Sequence, residues 1–172
     1  MLSLYDVSVP SFIRALKNMD AFLEKGAAWF AEQGRPESEL TGARLIGDMH
    51  PLTAQIQRAS DSAKGLAVRV GGIENVAMPD EEVTIADLRA RIAKTIAVLE
   101  SAPREGFDGK EETAVEVKTP NRTFVFTGKS YVLDFVIPNF FFHVATAYAL
   151  LRKEGVPLGK TDYLGPIESR PN

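Results

Sequence analysis

The chain has 172 residues, 45% of them hydrophobic and 25% charged, a balance that argues against disorder and gives one domain spanning 1–172 enough apolar material for a core. A net charge of −3 with no Lys/Arg block leaves phosphate-backbone binding without electrostatic support, so no nucleic-acid partner is expected. The absence of cysteine removes disulfides, thiolate catalysis and Cys-type zinc or iron–sulfur sites, and it fits a reducing, cytoplasmic location.

The opening Met1-Leu2-Ser3-Leu4-Tyr5-Asp6 has no basic stretch ahead of an apolar core, so it does not read as a secretory signal. A first helix is expected from about Ser8 to Gln33, with Pro10 in its first turn, where a missing N–H is no loss. Phe12, Leu16, Met19, Leu23, Ala27 and Phe30 form its apolar stripe, and Gly34 closes it. The connector Glu39 to Gly47, which contains Leu40, Leu45 and Ile46, reads as irregular structure packed on the bundle. A second helix is expected from Asp48, whose carboxylate would cap it, with Pro51 still in the first turn. Its stripe of Met49, Leu52, Ile56, Ala59, Ala63, Leu66 and Val70 is the seam of a bundle helix, and Gly71-Gly72 ends it.

Ile73 to Glu82 reads as a loop. A third helix begins at Thr84, where Thr84-Ile85-Ala86-Asp87 is a near capping box, and runs through Ile85, Leu88, Ile92, Ile96 and Leu99 towards Pro103. Then the period changes. Thr113 to Lys118 and Arg122 to Thr127 alternate apolar and polar residues around Thr119-Pro120-Asn121, which predicts a hairpin with Val115, Val117, Phe124 and Phe126 on one face. A hairpin alone is marginal in water, so it should lie on the helices. A fourth helix is expected from Ser130 to Glu154 with a kink at Pro138, then Gly155 and an irregular tail. Tyr131 to Leu151 carries one charge, Asp134, and is nearly long enough to span a bilayer. Pro138, Asn139 and His143 at its middle favour a buried central helix, so no membrane partner is expected. The architecture is therefore all-α: a four-helix bundle with a small β-hairpin between the third and fourth helices.

The chain has two histidines, too few for a three-histidine metal site. Asn139 and His143, four apart, share a face of the fourth helix with Phe135, Phe142, Thr146 and Leu150 on or beside it. Buried polar groups without partners cost about 1–3 kcal/mol each. These two should therefore bond each other, bond water, or hold a ligand or ion. His50 is expected in the opening turn of the second helix, where the positive helix end would lower its pKa and keep the ring neutral, able to bind metal or accept a proton. The plainer reading has His50 covering the helix end and bonding nearby backbone. Asp48 is better explained as a cap than as a ligand, and Asp134 as solvated or capping. Phe140-Phe141-Phe142 reads as core and subunit contact rather than an aromatic binding box. There is no Gly-x-Ser-x-Gly elbow, and Gly71-Gly72 precedes no glycine–lysine phosphate loop.

These features resemble the DinB/YfiT-like superfamily, and within it an uncharacterised bacterial branch, a domain of unknown function. His143 sits nine residues before Arg152 in Leu150-Leu151-Arg152, followed by Gly155-Val156-Pro157 and Thr161-Asp162-Tyr163-Leu164. Asp48-Met49-His50-Pro51-Leu52 and Asn139-Phe140-Phe141-Phe142-His143 carry the rest of the likeness. The resemblance implies a divalent metal, nickel or zinc, held by one histidine of the second helix and two of the fourth. Here the positions fall on His50, Asn139 and His143. An amide oxygen is a weak neutral ligand for such ions, so the implied site is degraded and its metal weakly held. The expected function is a small-molecule-binding bundle with no tightly bound cofactor, working as a homodimer. One alternative is a metal-dependent thiol S-transferase or isomerase using a low-molecular-weight thiol; another is a structural dimerisation module.

Overall fold

The apolar stripes of four long helices meet around one core in the computed structural model, which describes residues 2–119 and 121–166. Helix α1 spans Leu4–Glu32, α3 Leu52–Arg69 and α4 Ile85–Ser101. The fourth, continuous from Gly128 to Lys153, consists of α5 (Gly128–Ser130), a π-helical turn (Tyr131–Val136) and α6 (Ile137–Lys153). Around the ring, α6 packs on α1 and α3, and α4 closes the other side against the same two. The structure is thus the four-helix bundle expected from the pattern.

Helix α1 starts earlier than Ser8. The Ser3 side chain accepts from the Asp6 N–H, and the Asp6 carboxylate accepts from the Ser3 N–H at 3.0 Å, a capping box with Asp in place of Glu. Pro10 therefore lies inside the helix, where it removes one backbone hydrogen bond. Burial of Leu4, Val9 and Phe12 offsets that loss. A hydrogen bond from the Arg104 guanidinium also fixes the cap, holding the Asp6 carboxyl down at about 2.

The expected irregular connector contains a short helix, α2 (Glu37–Thr41), which buries Leu40, whereas Leu45 and Ile46 stay exposed. Helix α3 starts later than Asp48. Pro51 is its N-cap, in extended conformation, and no side chain caps it. A proline disfavours helical backbone in the residue before it, so His50 and Asp48 stay outside the helix, and the expected Asp48 cap does not form. Helix α4 begins at the capping box of Thr84 and Asp87 that the sequence suggests.

Strands β1 (Ala114–Lys118) and β2 (Thr123–Thr127) pair antiparallel with Val115 opposite Phe126 and Val117 opposite Phe124. These are the four residues expected on one face. Pro120 of the expected turn lies outside the described residues. Phe126 rests on the Tyr131 and Phe135 rings at centroid distances of 5.9 and 5.3 Å, which seats the hairpin on the start of the fourth helix. At Pro138, where a kink is expected, the backbone widens just upstream: the Ile137 N–H reaches back five residues to the Val132 carbonyl. The wide turn accommodates a proline that cannot donate. Past Gly155, the expected irregular tail forms a short helix, α7 (Lys160–Leu164), tied to α1 by Asn18 Nδ2 donating to the Tyr163 carbonyl at 3.0 Å.

Gly128–Lys153 is long and apolar enough by composition to cross a membrane (mean hydropathy 1.3 over its most apolar stretch). In the bundle, Val132, Val136, Phe140, Val144, Ala147 and Leu151 of this helix are buried. The three phenylalanines divide by helical phase: Phe140 is buried and stacks on Phe12 at 3.9 Å, Phe141 is half-buried, and Phe142 is exposed. Phe140→Ala should therefore lower stability by about 3–5 kcal/mol in urea unfolding. Phe142→Ala should change it by about 0.5 kcal/mol or less.

Candidate functional site

Helical spacing brings two stripes face to face. On α3, Arg58, Ser62, Gly65 and Arg69 follow one another at intervals of four, three and four; on the fourth helix, Tyr131, Phe135, Asn139 and His143 recur every four residues. Between them lies a cleft of about 280 Å3 lined by side chains of both helices, His143 and Asn139 included. The π-helical turn supplies Tyr131, Phe135 and Val136 of that lining.

Gln55, in the first turns of α3, sets the protonation of His143. Its Nε2 donates to the His50 carbonyl at 3.0 Å. A carbonyl can only accept, so the amide orientation is settled and Oε1 faces His143 Nδ1 at 2.7 Å. His143 must then carry its proton on Nδ1. Burial pushes its pKa down to about 4, helped by the Arg58 guanidinium and the His50 ring. The ring is neutral at pH 7, and Nε2 carries a lone pair.

His50 lies ahead of α3 and is exposed. Its Nε2 is paired with Arg58 Nη2 at 2.9 Å, and since a guanidinium only donates, that nitrogen must accept. Asn139 Nδ2 donates to Ser62 Oγ at 2.7 Å, and Ser62 Oγ donates to the Arg58 carbonyl at 2.8 Å. Asn139 and His143 thus find partners across the cleft on α3 rather than in each other. His50 and His143 are connected through Gln55, by backbone at one end and ring at the other, and both lie near Arg58. Asp134 is exposed. The exposed Phe142 ring meets the His143 ring edge-on at 5.1 Å.

The charges around the cleft are unequal. Asp61, the carboxylate of the lining, is bound by Arg91 Nη2 at 3.0 Å and by Lys64 at 3.4 Å. Arg69 Nη1 donates to the Tyr131 hydroxyl at 3.2 Å, and burial raises the Tyr131 pKa. Among the described residues, no carboxylate lies within ion-pair distance of Arg58 or Arg69. Gly65 makes this arrangement possible. A Cβ there would collide with the Arg69 guanidinium and lie 3.2 Å from the Tyr131 hydroxyl.

Gln55, Arg58, Ser62, Arg69 and Tyr131 carry no motif that marks them as site residues in the sequence. The readable signal was the polar stripe at helical spacing on α3, set against the stripe already noted at Asn139 and His143.

Residues 4–164 match a family model described as "Domain of unknown function (DUF1993)". The chain is also similar to a crystal structure of a DinB family member protein from Shewanella denitrificans. The TM-score is 0.89 and the identity 33%, over 98% of this chain and 96% of that one. No curated protein matches the chain.

The depressed His143 pKa carries a signed consequence. An unfolded histidine titrates near 6.5 and this one near 4, so between those values the unfolded state binds more protons. The contribution of His143 to stability is complete above pH about 6.5. It is lost as pH falls towards 4, by an amount on the order of 3 kcal/mol. Urea unfolding of the protein and of His143→Gln at pH 7 and at pH 4.5 should show a distinctly smaller acid loss in the variant; equal losses would contradict the neutral buried ring.

Proposed function

Because the chain belongs to the DUF1993 family and has a DinB-like fold, we propose that it is a small-molecule-binding bundle whose cleft works without a resident divalent metal. The observation that carries this reading is the bond between Arg58 Nη2 and His50 Nε2 at 2.9 Å. It occupies the lone pair that a metal would need and sets a fixed positive charge beside it, which repels a divalent cation. Asn139 offers an amide oxygen, a weak donor to nickel or zinc. His143 Nε2 alone keeps an imidazole lone pair for the cleft. Among the described residues, no group of three or more His, Asp or Glu side chains gathers to strengthen the set. These residues do not fit a tightly held divalent ion. The absence of cysteine accords with a reducing, cytoplasmic setting.

Elemental analysis of the purified protein after dialysis tests this reading. It should show well under one equivalent of nickel or zinc. Asn139→His alone should raise metal affinity little, because Arg58 still holds His50; Asn139→His combined with Arg58→Ala should raise it at least about tenfold. Stoichiometric metal retained through dialysis of the unaltered protein would overturn the proposal and favour metal-dependent thiol transfer instead.

A further inference from the structure

The cleft has two guanidiniums that no carboxylate among the described residues pairs directly. Arg58 and Arg69 lie eleven residues apart on α3, about three helical turns, so they share a face and flank the cleft that both line. Arg58 is engaged by a neutral imidazole and Arg69 by a neutral phenol, contacts that orient the guanidiniums without discharging them. Asp61 is paired with Lys64 and with the buried Arg91, a guanidinium that Asp80 and Glu82 share. A concave site carrying two guanidiniums that no carboxylate pairs directly concentrates anions. A guanidinium pairs especially well with the planar or tetrahedral oxygens of carboxylates and phosphates.

Between the arginines the lining changes character. His143 Nε2 can only accept, because Gln55 holds the ring proton on Nδ1. Asn139 turns its amide N–H towards Ser62, and its Oδ1 makes no hydrogen bond among the described residues. The cleft therefore offers donors with charge and acceptors without it. At about 280 Å3 it is at the small end of ligand pockets, suited to a metabolite-sized molecule. We infer that it binds a small organic oxyanion, a carboxylate or phosphate monoester, that also carries a hydroxyl: Arg58, the guanidinium beside His143, takes the anionic oxygens, the hydroxyl donates to His143 Nε2, and Arg69, three turns along α3, adds positive field to the same cleft. This inference rests on the metal-free reading of the same cleft.

The test is a titration of the 15N-labelled full chain with lactate, propionate, glycerol 3-phosphate and glycerol, followed by backbone amide shifts. Lactate or glycerol 3-phosphate should shift amides within 58–69 and 131–143 saturably, with a Kd below about 1 mM, and glycerol should not. Whichever of the two binds tighter names the anion class. Propionate, lacking the hydroxyl, should bind several-fold more weakly than lactate. Arg58→Gln should weaken binding at least about tenfold, whereas Arg69→Gln, which removes field but no contact, should weaken it less; Arg122→Gln, on the hairpin, should leave it unchanged. The inference is overturned if neither anion binds saturably, if Arg58→Gln binds as the unaltered chain does, or if propionate matches lactate. A metal-free protein that ignores both anions overturns this inference alone, whereas stoichiometric metal overturns the reading beneath it.

Discussion

The side-chain amide of Gln55 has one orientation that satisfies its surroundings, and the chemistry of the cleft follows from it. Its N–H groups must meet the His50 carbonyl, so its oxygen must meet His143 Nδ1. That places the His143 proton on Nδ1, towards Gln55, and leaves a lone pair on Nε2. Burial and the adjacent Arg58 then keep the ring neutral, because charging it would put a second cation beside a guanidinium in poorly solvated surroundings. The cleft is thereby fixed as a place where histidine accepts and arginine donates. Such a place is hospitable to anions with a hydroxyl and inhospitable to cations.

Two backbone features make the arrangement fit. The π-helical turn at Tyr131–Val136 accommodates Pro138 and brings Tyr131 and Phe135 into line with Asn139 and His143. Opposite, Gly65 leaves room for the Arg69 guanidinium to lie against the Tyr131 hydroxyl. The hairpin belongs to the same assembly, since Phe126 packs on the Tyr131 and Phe135 rings. The parts of the chain that break helical regularity thus sit around the cleft, and the regular parts, led by the Phe12–Phe140 stack, hold the bundle behind it.

The bundle was legible where local signals and periodicity agreed. Thr84 with Asp87, the Val115/Phe126 and Val117/Phe124 alternation, and the stripe ending at Val70 each name an element that the structure contains. Element starts were harder where proline gave a competing signal. Pro10 resembles a first-turn residue, yet the Ser3 and Asp6 box begins α1 upstream of it. Pro51 also resembles one, but it caps α3 itself and leaves Asp48 and His50 outside. Of the site, Asn139 and His143 were visible because polar groups on an apolar face demand partners. Arg58 and Arg69 were not visible, because an exposed arginine on a helix looks the same whether it faces solvent or a neighbour. Only the packing of the fourth helix against α3 gives them a shared cleft.

The protonation pattern of the two rings tests this account most directly, by long-range 1H–15N correlation of the imidazoles at pH 7. The account predicts a neutral His143 protonated on Nδ1 with Nε2 bare, and a His50 whose Nε2 accepts from Arg58. A His143 that is protonated on Nε2, is an imidazolium, or shows a metal-bound nitrogen would contradict it.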